Sequence, residues 1–311
     1  MGTKICVIGG GLAGGIVASQ LAAKGQFVTL VERGNLPLPF VPTDEIWQGS
    51  KPKAPFTRGT GIGGTSNFWH GGLIVLDKTD VDGVPGNSRN PESPISYSDL
   101  RKYYDRAISL MRANQGYTLN DFESSSAGTN CDFVINTDVF GLKALLYPHV
   151  PFTTKTLIER AKEQHGLEVV KNFEVKRVLF SSGTHAASVE GCEGQERMPK
   201  KIHADFFILC AGGLGSPKIL LESAKLNRQL QRLPIGKFLI DHPTGFVFKA
   251  KLRRRMNLRS LFGRPYQGYR LRYGFVLRAD KLRSSDFRNH ILFLRPAISM
   301  TDPLTYDILK R

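Results

Sequence analysis

The chain has 311 residues, 41% of them hydrophobic, which is enough to bury the core of one large α/β domain or of two closely joined domains. No uninterrupted apolar run approaches the ~18 residues that a membrane-spanning helix requires, so a membrane protein is not expected. The formal net charge of +16 is compatible with a nucleic acid, an anionic membrane surface or an acidic protein as a partner.

The first predicted elements are a strand at residues 4–10, a helix at 12–24 and a second strand at 27–32. This order of strand, turn, helix and strand is typical of dinucleotide-binding proteins. The motif begins almost at the first residue, and we expect no signal peptide ahead of it. Together with the absence of a membrane span, this predicts a cytoplasmic protein.

Three glycines, Gly9, Gly11 and Gly14, lie in the turn between the first strand and the helix, and Glu32 ends the second strand. The first glycine permits a tight turn, the second lets the backbone approach a pyrophosphate, and the third lets the helix pack on the strand. The amino end of the helix favours an anion. Glu32 can accept both ribose hydroxyls of an adenosine and would repel a ribose 2′-phosphate. A glycine turn that only holds a helix against a sheet is the alternative.

Residues 35–56 are rich in proline, which predicts an extended excursion rather than a regular helix. The chain returns in a glycine-rich segment at 58–72 that carries Gly63, Gly64 and Thr65. Such a backbone can lie against a flat ligand while it presents amides and short hydroxyls. After a dinucleotide motif, this segment favours contact with a flavin, although a plain glycine turn has the same composition.

The middle of the chain alternates between irregular segments and regular elements. Ser96 and Asp99 have the spacing of a capping box and predict a helix that continues to Met111. Residues 113–150 are irregular. The elements predicted after them are a helix at 153–165, stopped by Gly166, and strands at 168–170, 174–180 and 186–189.

A strand within 201–209 then leads into Ala211 and Gly212, a second glycine turn at the carboxyl edge of the predicted sheet, where ligands of open α/β folds bind. Ser216 is the predicted cap of the next helix, with Pro217 in its first turn.

Three strand-like stretches follow, at 245–251, 271–278 and 291–298, with a short helix that begins at Asp302. Three antiparallel strands with one helix would leave an open sheet edge and an uncovered face.

Cysteines and basic residues give weaker signals. The four cysteines have no Cys-x-x-Cys spacing, which favours reduced core thiols over disulfides or a metal site. Much of the positive charge falls between Lys249 and Arg288, interleaved with aromatic residues that imitate a nucleic-acid surface. A solvated face or a face for an acidic protein is the preferred interpretation, and a nucleic-acid partner is not expected.

Together, these motifs resemble the glucose-methanol-choline (GMC) flavin oxidoreductases, with the pattern of the branch that contains pyranose oxidase and the flavin subunits of sugar-acid dehydrogenases. The residues that carry the resemblance are the glycine turn with Glu32, Gly63 to Ser66, Pro94 to Tyr104, Ala211 to Leu221, and Gly236 to Pro243. The resemblance implies an α/β fold: a Rossmann-like FAD-binding domain interleaved with the start of an antiparallel-sheet substrate domain (α+β). It divides the chain into an FAD-binding domain (1–95 and 151–243), a helical insertion (96–150) and a partial substrate domain (244–311).

The resemblance also assigns roles to individual residues. The adenosine ribose would meet Glu32, and the adenine would meet the backbone of Val175, although a plain strand valine fits that position equally well. The residues implied to hold the rest of the cofactor are Gly9, Gly11, Leu12, Ala13, Gly14, Gly63, Gly64, Thr65, Asn67, Ala211 and Gly212. Some members link the flavin to a histidine where this chain has Phe68, so we expect non-covalent FAD. A structural or substrate-side role stays open for His70.

The implied activity is oxidation of an alcohol CH–OH group, with a sugar or polyol favoured, by hydride transfer to flavin N5. The family's catalytic base is a histidine in a C-terminal segment that we expect to lie beyond Arg311, so no catalytic residue is assigned, and His242 belongs to a chain-turning element. The alternative is a truncated flavin-binding subunit or inactive remnant that acts through an acidic protein partner or a missing C-terminal half. A nicotinamide cofactor is a weaker alternative, because two of the glycine turns would then have no ligand. The alcohol, the electron acceptor and the assembly state are not indicated.

Overall fold

The computed structural model describes residues 2–40, 58–85, 92–112, 138–148, 150–194, 198–237, 239, 264–266, 269–283 and 290–294. Its strands are β1 (Lys4–Ile8), β2 (Phe27–Val31), β3 (Leu38–Phe40), β4 (Arg58–Thr60), β5 (Phe140–Pro148), β6 (Glu168–Val170), β7 (Phe173–Phe180), β8 (Ala186–Glu193), β9 (Met198–His203), β10 (Phe206–Leu209), β11 (Arg264–Tyr266), β12 (Tyr269–Leu277) and β13 (Ile291–Leu292). Its helices are α1 (Leu12–Ala23), α2 (Lys78–Val81), α3 (Tyr97–Arg101), α4 (Tyr104–Arg112), α5 (Lys155–His165), α6 (Gly212–Ala224), α7 (Arg228–Gln231) and α8 (Ala279–Arg283), with a 3₁₀ helix at Gly64–Asn67. This mixture of helices and strands fits the predicted α/β class.

The chain forms two compact units. The first unit comprises Met1–Trp69 and Thr153–Pro243, and the second comprises His70–Phe152 and Thr244–Arg311. This grouping differs from the three-part division expected from the sequence, because residues 70–95 join the second unit and the expected helical insertion contributes a long strand to it. The cofactor and substrate roles assigned to the parts stay predictions.

A four-stranded parallel sheet in the order β10-β1-β2-β6 organises the first unit. Three consecutive residues of β1, Cys6, Val7 and Ile8, are buried, as expected for a parallel strand that is covered on both faces. Val7 packs with buried residues of α1 and α5, whereas Cys6 and Ile8 pack with β7, β8 and α6. The predicted strands and helices of this unit are present with ends shifted by a few residues, except that the single strand expected within 201–209 is two strands, β9 and β10, and that α6 begins before Ser216.

A second sheet of the first unit is antiparallel, in the order β7-β8-β9. Its register shifts between Val175 and Arg177, which marks a bulge in β7. The buried hydroxyl of Ser223 in α6 accepts a hydrogen bond from the N–H of Val178 at 2.8 Å and donates one to the carbonyl of Ile219 at 2.6 Å. This side chain therefore fastens α6 to the bulged strand.

Helix α6 begins earlier than the sequence predicts. Ala211 is the residue before its first turn, and Ser216 and Pro217 lie inside the helix rather than at its start. The reason is the backbone at Gly212, whose φ of +77° turns the chain into the helix directly after β10. Pro217 has no N–H, so the carbonyl four residues before it loses its usual helical partner.

In the second unit, β12 pairs along its whole length with β5, and its other edge pairs with β11 and β13. The sequence reasoning treated the residues of β5 as irregular and expected an open edge, which is wrong for this edge of β12. The predicted strand at 271–278 is present as β12. The helix expected from Ser96 to Met111 is capped as predicted, since the Ser96 hydroxyl accepts a hydrogen bond from the N–H of Asp99 at 3.2 Å, but it is divided into α3 and α4.

Several predictions lie outside the described residues. These are the strand at 245–251, the helix at Asp302, the chain-turning element that contains His242, and most of the basic stretch between Lys249 and Arg288. In the part of the chain that the structure describes, no helix is both long and apolar enough to cross a membrane.

Candidate functional site

The candidate site lies at the carboxyl edge of the parallel sheet. Because parallel strands end at the same edge, the turn after β1, Glu32 after β2 and Cys210 after β10 come close together. Backbone hydrogen bonds extend the ladder past the strand ends, from Gly9 N to Val31 O at 2.7 Å and from Cys210 N to Ile8 O at 2.8 Å. The sheet therefore holds the three segments in fixed positions.

Two of the three motif glycines are required by packing. Gly9 has a φ of +104°, and a Cβ at this position would lie 2.5 Å from the carbonyl oxygen of Cys210. A Cβ on Gly14 would overlap the carbonyl oxygen of Gly9. Neither residue can carry a side chain without displacing backbone, so Gly9 and Gly14 shape the turn itself.

Gly11 is different, because a Cβ at this position would have no heavy atom within 4 Å. It is the residue that precedes the first turn of α1, which has no side-chain cap and no acidic residue. The first amides of a helix have no intrahelical partner and carry partial positive charge. The start of α1, with Leu12 and Ala13 in its first turn, is thus open to an anionic group beside a residue that leaves space for it.

The carboxylate of Glu32 is only 6% exposed and accepts three backbone hydrogen bonds. The N–H of Gly10 donates to Oε2 at 2.8 Å, and the N–H groups of Gly34 and Gly61 each donate to Oε1 at 2.9 Å. A carboxylate offers about four acceptor positions, so one is left for a ligand hydroxyl. Because three acceptor positions already bind backbone N–H groups, Glu32 has one position for a ribose hydroxyl rather than the two expected from the sequence.

The glycine-rich segment lies directly against the motif turn. The N–H of Gly63 donates to the carbonyl of Gly10 at 2.8 Å, and a Cβ on Gly64 would lie 2.9 Å from the Cα of Gly11. Asn67 uses its amide to bind the carbonyls of Ile62 and Gly64, at 2.9 and 3.1 Å. The hydroxyl of the exposed Thr65 accepts a hydrogen bond from the N–H of Gly59 at 3.2 Å. These side chains fold their own turn, which leaves its backbone as the surface that a ligand would meet.

The second glycine turn leads from β10 into α6. Gly212 is exposed, and a Cβ at this position would meet no heavy atom within 4 Å. Like α1, α6 begins without a side-chain cap and without an acidic residue in its first turn. Two uncapped helix starts, at Gly11 and at Ala211, therefore follow adjacent strands at the same edge of the sheet.

A polar pocket of about 280 Å³ lies beside Glu32. The N–H of Phe173, next to the lining residue Asn172, donates a hydrogen bond to the carbonyl of Glu32 at 3.0 Å, which holds this wall of the pocket against the end of β2. The pocket is lined by Arg33, Gly34, Thr60, Asn172, Glu174, Cys192 and Gly194. Val175 is not a lining residue. Its side chain is buried in the core, and it lies one position after the lining residue Glu174.

The structure brings the motif turn, Glu32, the glycine-rich segment and the Ala211–Gly212 turn together, and places Val175 next to the pocket. Sequence reasoning missed Gly10, Gly34 and Gly61, whose amides bind Glu32. It also missed Thr154, which is fully buried against the motif turn. For the three glycines, their positions near the recognised motifs were the available signal, because residue type does not show which backbone N–H groups act as donors.

The buried thiol of Cys6 and the half-buried thiol of Cys210 are poor nucleophiles. Burial, with a smaller contribution from the charge of Glu168, raises the pKa of Cys6 from 9.0 to about 12, and burial also raises the pKa of Cys210. Cys6, Cys192 and Cys210 are free thiols, and Cys131 lies outside the described residues. Among the described residues, no three His, Cys, Asp or Glu side chains are grouped so that they could hold a metal ion. His70 is exposed, and its predicted role is not tested.

One family model matches part of the chain. Residues 152–244 match the family model described as GMC oxidoreductase. No curated protein matches the chain. Two similar solved structures are a fungal aryl-alcohol oxidase, with 16% identity, a TM-score of 0.47 and coverage of 72% of this chain and 48% of that one, and a formate oxidase, with 16% identity, a TM-score of 0.44 and coverage of 75% and 50%.

This chain spans about half the length of both structures, and at these TM-scores neither defines its fold or activity. The N-terminal motifs that carried the resemblance lie before the matched segment, and the proposed sugar-oxidising branch stays a prediction. The resemblance to the GMC oxidoreductases is confirmed for residues 152–244, the segment that the family model matches.

Proposed function

We propose that the first unit binds FAD non-covalently and is the cofactor-binding part of an oxidoreductase that oxidises an alcohol CH–OH group. The observation that carries this proposal is the open space at Gly11 in front of the uncapped start of α1. A Cβ on Gly9, Gly10 or Gly14 would lie 3.0 Å or less from another protein atom, whereas a Cβ on Gly11 would meet none within 4 Å. A diphosphate suits the position, because it accepts hydrogen bonds from helix amides and is attracted by the helix dipole.

The other parts of a Rossmann-like site would hold the two ends of the cofactor. The pocket beside Glu32 suits the adenosine end, since it is polar, is lined by Arg33 and Gly34 directly after Glu32 in the chain, and is lined by Glu174, the residue before Val175. The Gly63–Gly64 turn would approach the opposite side of the diphosphate and the flavin, because Gly64 lies against Gly11. The amides that follow Ala211 would provide a second anionic contact.

FAD would supply the two-electron acceptor that an alcohol oxidation requires, and the chain's own residues would bind and orient it. Phe68 stands where some family members carry the histidine that links the flavin, which supports a dissociable cofactor. The GMC family match supports oxidation of an alcohol. A sugar or polyol as the substrate is proposed from the motif resemblance alone.

The substitution Gly11→Ala tests the cofactor site with little effect on the fold. Gly11 has a φ of −70°, which alanine adopts readily, and the added Cβ meets no protein atom within 4 Å. We expect the purified variant to keep the melting temperature of the apo protein and to bind FAD at least ~10-fold more weakly, measured by quenching of flavin fluorescence. Equal FAD affinity in the two proteins would place the diphosphate elsewhere.

The proposed chemistry is tested by anaerobic addition of alcohols and sugars to the FAD-loaded protein. Bleaching of the flavin absorption by a primary or secondary alcohol supports CH–OH oxidation. Bleaching by dithionite but by none of the alcohols would instead support a flavin-binding subunit that lacks the catalytic part.

A further inference from the structure

The carbonyl of Gly10, in the middle of the motif turn, is held by two donors from other parts of the first unit. The N–H of Gly63 donates to it at 2.8 Å, and the hydroxyl of Thr154 donates to it at 3.5 Å. Thr154 is fully buried, so water does not compete with the Gly10 carbonyl for its hydroxyl. The second hydrogen bond is long, and we expect it to be the weaker of the two.

Thr154 is the residue that precedes α5, a position where a threonine side chain commonly caps its own helix. Here the side chain makes no such cap, and its hydroxyl is directed to the turn at Gly10 instead. The sequence of α1 matches this arrangement. A Cβ on Gly15 would lie 2.5 Å from the Cβ and 2.6 Å from the Oγ1 of Thr154, so a glycine in the interior of α1 makes the contact possible.

The two hydrogen bonds to the Gly10 carbonyl also determine the direction of the N–H of Gly11. In a planar trans peptide the carbonyl of one residue and the N–H of the following residue point in opposite directions. With the Gly10 carbonyl held by Gly63 and Thr154, the N–H of Gly11 is directed away from both. It is therefore fixed on the side of the turn where α1 begins and where no protein side chain caps the helix.

We propose that Thr154 is a positioning residue for diphosphate binding, which acts through the Gly10 carbonyl to fix the N–H of Gly11 toward a phosphate oxygen. This proposal rests on the proposed function, since it requires a dinucleotide at the start of α1. Gly15 and Thr154 then form a matched pair, in which the missing side chain of one makes room for the hydroxyl of the other.

The test compares Thr154→Val, which keeps the shape and removes the hydroxyl, with Thr154→Ser, which keeps the hydroxyl. FAD and ADP are titrated into each full-length apo protein, and the melting temperature of each apo protein is measured. We expect Thr154→Val to weaken FAD and ADP by the same factor, about three- to tenfold, because both ligands share the diphosphate. Thr154→Ser should restore both affinities. Thr153→Val is the matched control, with the same change one residue earlier, and should bind both ligands like the wild type.

A second pair of variants tests the steric match. Gly15→Ala should weaken both ligands, and Gly15→Ala combined with Thr154→Gly should relieve the clash without restoring affinity, because the hydroxyl is then absent. If the wild-type protein binds FAD and Thr154→Val binds it with the same affinity, the role of Thr154 is overturned and the proposed function stands. Failure of the wild type to bind either ligand would overturn both. If the melting temperature of apo Thr154→Val falls so far that the unfolded fraction in the assay accounts for the whole loss of affinity, the role of Thr154 is purely structural.

Discussion

Replacing Glu32 with alanine separates two roles of this side chain, as a ligand for ribose and as a junction of three turns. If Glu32 only met the ribose, Glu32→Ala would weaken FAD binding and leave the apo protein as stable as before. The structure predicts a different result. The carboxylate accepts the N–H groups of Gly10, Gly34 and Gly61, and the contacts with Gly10 and Gly61 are fully buried.

The size of the effect follows from the donors left without a partner. A buried N–H that loses its acceptor costs about 1–3 kcal/mol, so the two buried donors together cost about 2–6 kcal/mol. The N–H of Gly34 is part-buried and can turn to water, so it adds little. This loss is comparable with the whole stability of many domains, which is about 5–15 kcal/mol. Glu32→Gln should lose about half as much, because the amide oxygen can still serve one pair of donors while its NH₂ faces the third.

The assay is equilibrium unfolding of the apo protein in urea for the wild type, Glu32→Ala, Glu32→Gln and the exposed control Glu163→Ala. We expect the free energy of unfolding to fall in the order wild type, Gln variant, Ala variant, with the control at the wild-type value. An apo Glu32→Ala protein as stable as the wild type, with only its FAD affinity reduced, would refute the junction role and favour the ribose contact expected from the sequence.

Three further substitutions test the structure in other places. Gly14→Ala should cost more than about 3 kcal/mol or prevent folding, because its Cβ would overlap the backbone at Gly9, and a Gly14→Ala protein of wild-type melting temperature would contradict the turn. In the second unit, the side chain of Lys143 is 12% exposed, and its Nζ lies 2.9 Å from a carboxylate oxygen of Asp77 and of Asp80. Lys143→Met should therefore lower the free energy of unfolding by about 1–3 kcal/mol, as chemical denaturation can measure. It should also raise the pKa of Asp77, as NMR titration can measure. The pKa of Cys6 is raised to about 12 in the folded state from 9.0, so only the unfolded chain loses this proton just above pH 9 and stability must fall as the pH rises. Between pH 9 and pH 10 this loss should be about 1 kcal/mol greater in the wild type than in Cys6→Ala, and equal slopes in urea titrations would show that the thiol is not buried.

The parts of the site that depend on residue type were predictable from the sequence. Glycines at 9, 11 and 14 followed by an acid after the next strand indicate a dinucleotide turn, because Gly9 and Gly14 have no room for a side chain and Gly11 leaves space for a ligand. The parallel strands around it were also predictable, since a continuous apolar run such as Cys6 to Ile8 is typical of a strand covered on both faces.

The parts that depend on backbone geometry were not predictable. The three N–H groups that fill the carboxylate of Glu32 come from residues whose type says nothing about where their amides point. The long pairing of β5 with β12 joins segments more than a hundred residues apart, and β5 does not alternate cleanly between apolar and polar residues. The early start of α6 depends on the positive φ of Gly212, which made Ser216 and Pro217 misleading signals.

The most direct test of the proposed FAD site is to identify the cofactor that the purified chain carries or takes up. The purified 311-residue protein, incubated with FAD and freed of excess ligand, should be yellow, with flavin absorption near one equivalent per chain. Acid precipitation should release all of this absorption as intact FAD by mass spectrometry. A folded protein that stays colourless with FAD, or flavin that remains attached to the precipitate, would contradict a dissociable FAD at the carboxyl edge of this sheet.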